Sequence, residues 1–229
     1  GKKMLTYKIL KEDPEIQTLL KLSERQLEVL GFTEHGHRHV GIVTQRVETI
    51  LRALEVEDRE VELGKIAALL HDVGNGINRN DHAQSGALLA YQMLTKRSMD
   101  CKEAAEIMMA IGNHDEGTGL AVSRIGAALI LADKSDVHRS RVRKDQVEIF
   151  KRSQYMEDIH DRVNYAVEKS DLLVDRQTKH IIFRFKVDTE ICSAMDYFQI
   201  FMERMQMCRQ AADFIGYEFQ LMINDYNLA

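Results

Sequence analysis

Apolar residues recur at helical spacing through most of the first 140 positions of the chain. In residues 15–30 and 39–54 they fall on one stripe, as in helices that pack one face on a core. Residues 62–73 are apolar almost throughout, which is typical of a buried helix, and Gly74 ends this run. Further helices are predicted at about 82–95, 102–112 and 123–137. This part of the chain is therefore expected to form an all-helical core.

The pattern changes beyond about residue 145. A helix around 157–169 is followed by a stretch, His180 to Val187, in which polar and apolar residues alternate. A period of two predicts extended strands, here a β-hairpin. A long helix at about 189–215 and a last strand at YEFQLMIN complete the pattern. We expect a small antiparallel sheet with the helix packed on one of its faces.

The predicted fold class is mostly α, with an α+β appendage. One proline and 13 glycines leave few helix breakers, which favours long helices over many short strands. Four parts are expected: an N-terminal helical extension at 1–34, a core that carries the candidate chemistry at 35–145, connecting helices at 146–170, and a separate β-β-α-β appendage at 171–229.

Charge and cysteine content narrow the function. A formal net charge of -5 argues against general nucleic-acid binding, which relies on an excess of Lys and Arg. A local basic pocket for a small phosphorylated substrate is compatible with that charge. The three cysteines are widely spaced and form no CxxC pair, as expected of reduced thiols. No segment predicts a signal peptide or a membrane span, so the expected location is the cytoplasm.

The strongest candidate for chemistry is the pair His71 and Asp72, at the end of the apolar helix AALLHDVGN. Burial of a carboxylate is costly unless the group is paired or bound to a metal. A capping pair at a helix end is the structural alternative. The dipeptide alone favours neither interpretation.

Other polar residues lie at the rim or on the inside of apolar helices, namely His39, His82, His114 and Asp133. If a helical bundle brings them together, four imidazoles and two carboxylates suit divalent metals that prefer nitrogen and oxygen ligands. Asp72 is the natural bridge between two ions, since each of its oxygens can bind one. Two ions about 3.5–4 Å apart would clamp a phosphate and generate a hydroxide between them.

An ordered set of six residues resembles the signature of the HD superfamily of metal-dependent phosphohydrolases: His39, His71, Asp72, His82, His114 and Asp133. The flanking segments HVGIV, AALLHDVGN, HAQSGALLA and ALILADKSD are similar to that family as well, and the resemblance covers about residues 35–140. It implies an HD-domain helical bundle with two divalent transition metals, drawn from Fe, Mn, Co, Ni and Zn. The first metal would be held by His39, His71, Asp72 and Asp133, and the second by Asp72, His82 and His114.

The intermediate histidines make the chain more similar to the dinuclear branch of this family, which includes the HD-GYP phosphodiesterases. Those proteins carry a lysine shortly after the HD pair, where this chain has Asn75. They also carry a glycine-tyrosine-proline segment, where His114 is followed here by DEGTGLAVSRIG. We therefore expect a phosphate ester other than a cyclic dinucleotide.

Lys134 and Arg139 belong to the only dense basic segment, which follows Asp133 directly. They could clamp a phosphate above the metals, where arginine suits bidentate contact. A solvated helix end, with positive charges near the C-terminal dipole, explains them equally well. For the later arginines of the segment, and for His35 one helical turn before His39, the solvated interpretation is favoured.

Three functions fit these observations. The first is hydrolysis of a nucleotide or other phosphate ester by a metal-bridging hydroxide, which Asp72 orients while Lys134 or an arginine neutralises the developing charge. The second is an HD-type oxygenase with a dinuclear iron site. The third is a non-catalytic nucleotide-sensing module that dimerises through its C-terminal sheet. The complete ligand set favours the first, and the edge strand offers a pairing surface for a homodimer.

Overall fold

The computed structural model describes residues 4–228, and within them the chain forms ten helices and four strands. The helices are α1 (Tyr7–Lys11), α2 (Pro14–Leu30), α3 (His37–Ala53), α4 (Asp58–Leu70), α5 (His82–Lys96), α6 (Cys101–Gly112), α7 (Arg124–Lys134), α8 (Lys144–Ser153), α9 (Ile159–Ala166) and α10 (Ala194–Phe214). The strands are β1 (Val167–Asp175), β2 (His180–Val187), β3 (Glu218–Ile223) and β4 (Tyr226–Asn227). Short 3-10 turns lie at Val73–Gly76 and Arg139–Arg141.

Helix α7 is the centre of the helical part. Ser123 caps it, because its hydroxyl accepts a hydrogen bond from the backbone N–H of Gly126. The run from Ile125 to Ala132, IGAALILA, is buried without a break, as expected of a helix that is apolar on every face. Helices α3, α4, α6 and α10 all contact α7. The mostly helical fold class predicted from the apolar pattern is thereby confirmed.

Two glycines let the turn after α4 approach the start of α5 closely. A Cβ added at Gly74 would lie 2.0 Å from the carbonyl oxygen of His82 and 2.6 Å from the backbone nitrogen of Gly86. Neither separation is possible for real atoms, so only a glycine fits at this point. The close approach brings the residues that follow α4 next to those that open α5.

The C-terminal strands form one mixed sheet in the order β1-β2-β3-β4. The hairpin predicted from the alternation is confirmed: β1 and β2 pair antiparallel, and Ile181, Phe183 and Phe185 of β2 are buried. The expectation of a purely antiparallel sheet is wrong, because β2 and β3 are parallel. Along the chain, helix α10 connects β2 to β3. It returns the chain to the end of the sheet where β2 began, which is the crossover connection that parallel strands need.

Helix α10 packs on the helical part as well as beside the sheet. Its buried face includes Tyr197, Phe201 and Cys208, and it contacts both α7 and β3. The side-chain amide of Gln210 on α10 accepts a hydrogen bond from the backbone N–H of Ala121 and donates one to its carbonyl, at 2.8 and 3.0 Å. The C-terminal elements therefore share a continuous core with the helices. Within residues 4–228, no helix is long and apolar enough to cross a membrane.

Candidate metal centre

Six side chains from five helices and their ends meet at one place, and we call them the His/Asp cluster: His39, His71, Asp72, His82, His114 and Asp133. They form two groups that share Asp72, and in each group the candidate ligand atoms lie within 4.8 Å of one another. The first group contains His39, His71, Asp72 and Asp133, and the second contains Asp72, His82 and His114. All except Asp133 are buried. The structure thus brings together every residue for which a ligand role was expected.

The position of each residue follows from local structure. His39 lies in the first turn of α3, and His82 is the first residue of α5. His71 follows the last residue of α4, His114 comes shortly after the end of α6, and Asp133 lies in the last turn of α7. Helix ends leave backbone groups without helical partners, which makes them natural places for polar side chains. The cluster is a meeting point of such ends inside an apolar bundle.

The two oxygens of Asp72 face different groups. Its Oδ2 atom lies 3.1 Å from Nε2 of His71 and 3.6 Å from Nε2 of His39. Its Oδ1 atom lies 3.5 Å from Nε2 of His82 and 3.6 Å from Nε2 of His114. This division is the geometry that a carboxylate bridging two ions requires.

Each imidazole of the cluster has an acceptor at its other nitrogen. The Nδ1 atoms of His71, His82 and His114 lie 2.6, 3.1 and 2.6 Å from the carbonyl oxygens three residues before them. Nδ1 is therefore the atom that carries the hydrogen, and the lone pair of Nε2 points into the cluster. This is how metal-binding histidines are oriented by their surroundings.

Asp136 contacts the cluster and was not among the residues predicted from the sequence. Its Oδ2 atom lies 2.6 Å from Nδ1 of His39, and both side chains are buried. Arg38 donates a hydrogen bond to the same oxygen at 2.8 Å, and Arg141 lies 3.8 Å away. Burial opposes ionisation of Asp136, but His39 and the two guanidinium groups hold its pKa below the ordinary value. The available signal was its spacing, three residues after Asp133 and just past the end of the same helix.

The donor set fits divalent transition metals. Among the described residues, no hydrogen bond reaches the buried Oδ2 atom of Asp72, although unpaired buried carboxylate oxygens are rare. Where the imidazoles are neutral, their Nε2 lone pairs meet the carboxylate oxygens as acceptor against acceptor. Only a cation or a shared proton holds such atoms together. Nitrogen and carboxylate oxygen are the ligands that Fe, Mn, Co, Ni and Zn accept.

The pKa values of the cluster's histidines also show that its two carboxylates favour a positive charge beside them. Burial opposes protonation of His71, but the carboxylates of Asp72 and Asp133 outweigh it and raise the pKa of His71 to about 10. Burial dominates at His82 and lowers its pKa to about 4. One imidazole therefore serves as a substitute cation for the two carboxylates, and a metal ion would compete with that proton.

Lys134 is held beside the cluster by two carboxylates. Its Nζ atom lies 2.9 Å from Oδ2 of Asp133 and 3.5 Å from Oε1 of Glu116, and the residue is only 4% exposed. Arg204 of α10 donates a hydrogen bond to the same Glu116 oxygen at 2.6 Å. Burial alone would raise the pKa of Glu116, but the positive charges of Arg204 and Lys134 outweigh it and lower the pKa to about 2. Lys134 thus stays charged next to the first group, at a place consistent with its predicted role.

Arg139 contacts other residues. Its guanidinium carbon lies 4.9 Å from the centre of the Tyr165 ring, and its Nη2 atom lies 3.9 Å from Glu168. It does not line the cavity that opens on Asp72. The structure therefore does not bring Arg139 together with the His/Asp cluster, because its side chain packs on α9 and β1.

The later arginines of the basic segment support the loop before α3. Arg141 donates two hydrogen bonds to the carbonyl oxygen of Glu34, and Arg143 donates to the carbonyl oxygen of Phe32. Arg141 is buried, so the prediction that it belongs to a solvated helix end is wrong. This loop carries His35, whose ring centre lies 5.4 Å from that of His39. His35 is half-buried rather than free on the surface, and burial lowers its pKa well below the ordinary value.

The helical core and the His/Asp cluster are consistent with the metal site of an HD domain, the family that the sequence resembles. No protein-family model matches the sequence. An uncharacterized protein of Methanocaldococcus jannaschii is 26% identical over 162 residues, which cover 61% of this chain. The matched region spans 62% of that relative's length. A solved structure, described as a predicted HD superfamily hydrolase from an uncultured Thermotogales bacterium, is 21% identical, with a TM-score of 0.42. It covers 69% of this chain and 87% of its own.

Proposed function

We propose that the protein is a metal-dependent phosphoric ester hydrolase that acts on a nucleotide or another small phosphate ester. The observation that carries this proposal is the division of the two Asp72 oxygens between two groups of ligands. A carboxylate in this arrangement suits two ions held close together, which is the arrangement used for in-line displacement at phosphorus. The resemblance of the ordered ligand set to the HD superfamily supports the same class of reaction.

The first metal would be held by His39, His71, Asp72 and Asp133, and the second by Asp72, His82 and His114. When bound, two divalent transition metals would supply Lewis-acid activation of water and of the phosphate. The residues of the chain orient that chemistry. Asp72 would hold both halves of the site in register, and the carbonyl groups behind His71, His82 and His114 would keep their Nε2 atoms aimed inward. Lys134 would place one more positive charge beside the phosphate as negative charge develops on it.

A cavity gives a substrate access to this site. It has a volume of about 610 Å³ and is lined by Asp72, His35 and Arg38, among others. A volume of this size accommodates a ligand as large as a nucleotide. Its lining includes both basic and acidic side chains, among them Arg25, Arg38, Glu24 and Glu34.

The test is phosphate release by protein loaded separately with Fe, Mn, Co, Ni or Zn, against a panel of nucleotides and simple phosphate esters. At least one metal should support release, and Asp72→Asn should abolish it. Asp58→Asn is the matched control, because the Asp58 side chain is 96% exposed. Metal binding without release of phosphate from any ester would contradict the proposal. Oxygen consumption by the iron-loaded protein, in place of phosphate release, would identify the oxygenase instead.

A further inference from the structure

A second cavity lies near the His/Asp cluster, on the side of the C-terminal helix, although no residue of the cluster lines it. It has a volume of about 450 Å³, and we call it the arginine cavity. Its walls include Phe32, Arg79, Phe201 and Arg204, together with the carboxylates Glu116, Asp158 and Asp161. His35 lines this cavity and also the larger one that opens on Asp72, so the two spaces lie on either side of that residue.

Two guanidinium groups in this cavity are placed alike. The guanidinium carbon of Arg79 lies 5.6 Å from the centre of the Phe32 ring, and that of Arg204 lies 4.1 Å from the centre of the Phe201 ring. A cation over an aromatic face is attracted to it and is kept from turning freely. Each guanidinium therefore has a phenylalanine ring as a neighbour, and that of Arg204 is the closer of the two.

Each of the two arginines uses only one of its guanidinium nitrogens in a hydrogen bond within the described part of the chain. Arg79 uses Nη1 to donate to Asn75 at 3.1 Å, and Arg204 uses Nε to donate to Glu116 at 2.6 Å. Among residues 4–228, no acceptor bonds the remaining guanidinium nitrogens of either residue. The other arginine in the walls, Arg141, is different, because backbone carbonyl oxygens occupy its guanidinium. Arg79 and Arg204 therefore present free planar forks, the donor geometry that matches carboxylates and phosphates.

Two residues in the walls of the arginine cavity, Glu116 and His35, lead toward the cluster. On one side, Arg204 contacts Glu116, Glu116 contacts Lys134, and Lys134 contacts Asp133. On the other side, the ring of His35 packs edge-on against His39. A small ester whose phosphate lies at the cluster would have to pass His35 or Glu116 to reach this cavity with its other end.

We propose that the arginine cavity binds a second anionic group of the substrate, carried on the alcohol that leaves, with Arg79 and Arg204 as the binding residues. This inference rests on the proposed function, and it narrows the substrate to a small phosphate ester that bears a further phosphate or carboxylate. Arg204 then makes the last helix of the chain a part of substrate selection. The two free forks distinguish such a substrate from one with a neutral alcohol.

Three non-hydrolysable probes test the inference by binding alone: phenylphosphonate, 4-carboxyphenylphosphonate and 1,4-benzenediphosphonate. Their affinities for the manganese-loaded full chain are measured by calorimetry. A hydrogen-bonded charge pair is strong enough for the second anion to improve the affinity by about tenfold or more. Comparison of the carboxylate with the second phosphonate shows which anion the cavity prefers.

The gain from the second anion should disappear in Arg204→Gln and in Arg79→Gln, whereas affinity for phenylphosphonate stays near that of the wild type. Arg209→Gln is the matched control, because Arg209 lies on the same helix and is exposed. Arg204→Lys keeps a charge beside Glu116 but loses the planar fork, so it should lose most of the gain even if Arg204→Gln folds poorly.

The outcomes separate the two proposals. If phenylphosphonate binds but the second anion brings no gain, or if the gain survives in both glutamine variants, the arginine cavity is not the anion subsite, and the hydrolase proposal is untouched. If manganese binds but none of the three phosphonates does, the hydrolase proposal itself is contradicted.

Discussion

The Nδ1 atom of His39 lies 2.6 Å from a carboxylate oxygen of Asp136, and both residues are buried. His39 is the one imidazole of the cluster that is oriented by a side chain instead of a backbone carbonyl. The orientation of the His39 ring therefore depends on Asp136, which can be replaced while all six candidate ligands stay unchanged.

Asp136→Asn should weaken metal binding at the first group while leaving the second group unaffected. Loss of an outer carboxylate partner of a metal-binding histidine typically lowers metal affinity by about 10–100-fold. Competition with a chelator measures this affinity. Arg38→Gln is the control, because it removes another partner of Asp136 and leaves the contact with His39 in place. Equal affinities in Asp136→Asn and the wild type would show that this carboxylate does not position His39.

His82→Ala should reduce the metal content of the chain from two ions to one. His82 belongs only to the second group, which has three candidate ligands, whereas the first group keeps all four. Metal content is measured by elemental analysis after dialysis. His180→Ala is the control, because His180 lies on β2 beside Thr178 and Glu218 and should leave both ions bound. A His82→Ala protein that retains two ions would contradict the dinuclear assignment.

Gly74→Ala should destabilise the fold and displace His82. The added Cβ would lie 2.0 Å from the His82 carbonyl oxygen, and a backbone atom cannot move aside as a flexible side chain does. Overpacking of this kind costs about 1–3 kcal/mol or more, which lowers the Tm of a chain of this size by several degrees. At Gly41, in α3, an added Cβ has no other atom within 4 Å, so Gly41→Ala should raise the Tm slightly. Similar melting temperatures for both variants would refute the argument.

Asp161→Asn should stabilise the protein at neutral pH and have little effect near pH 4. Burial, with Asp158 and Asp145 nearby, raises the pKa of Asp161 from 3.8 to about 6. The folded state therefore holds this proton more tightly than the unfolded state, and stability is lost as the pH rises from about 4 to 6. Because the side chain is partly screened by solvent, the gain at pH 7 is about 1 kcal/mol rather than the full value of the shift.

Urea unfolding of the Asp161→Asn variant and of the wild type, at pH 4 and pH 7, measures this difference. A difference in stability that is the same at both pH values would mean that titration of Asp161 is not its source. Asp58→Asn, at an exposed position, should change neither value.

The sequence allowed the cluster to be predicted because each of its members stands where an apolar helical pattern begins or ends. Their positions, together with the resemblance of their order to the HD signature, were enough to name these residues. Asp136 was missed although it lies three positions after Asp133 in the same segment, since its role depends on which ring it faces. The parallel pairing of β2 and β3 was also out of reach, because a period of two indicates extended chain and not the direction of its neighbour.

Arg204 shows the limit of the sequence pattern more clearly. It is separated from Glu116 by 88 residues, and neither residue lies in a motif. Periodicity indicates which face of α10 is buried, but it does not indicate which helix that face meets. The contact exists because α10 packs on α7 and beside the sheet, and that arrangement depends on the whole core.

Because Arg204 follows Glu116 by 88 residues, the parts of the site are synthesised in a fixed order. All six residues of the His/Asp cluster precede Lys134, whereas Phe201 and Arg204, which form one wall of the arginine cavity, lie on α10. At ordinary translation rates this interval lasts on the order of ten seconds. A chain emerging from the ribosome thus exposes all six residues of the cluster, and Arg79, before α10 adds Arg204 and completes the arginine cavity.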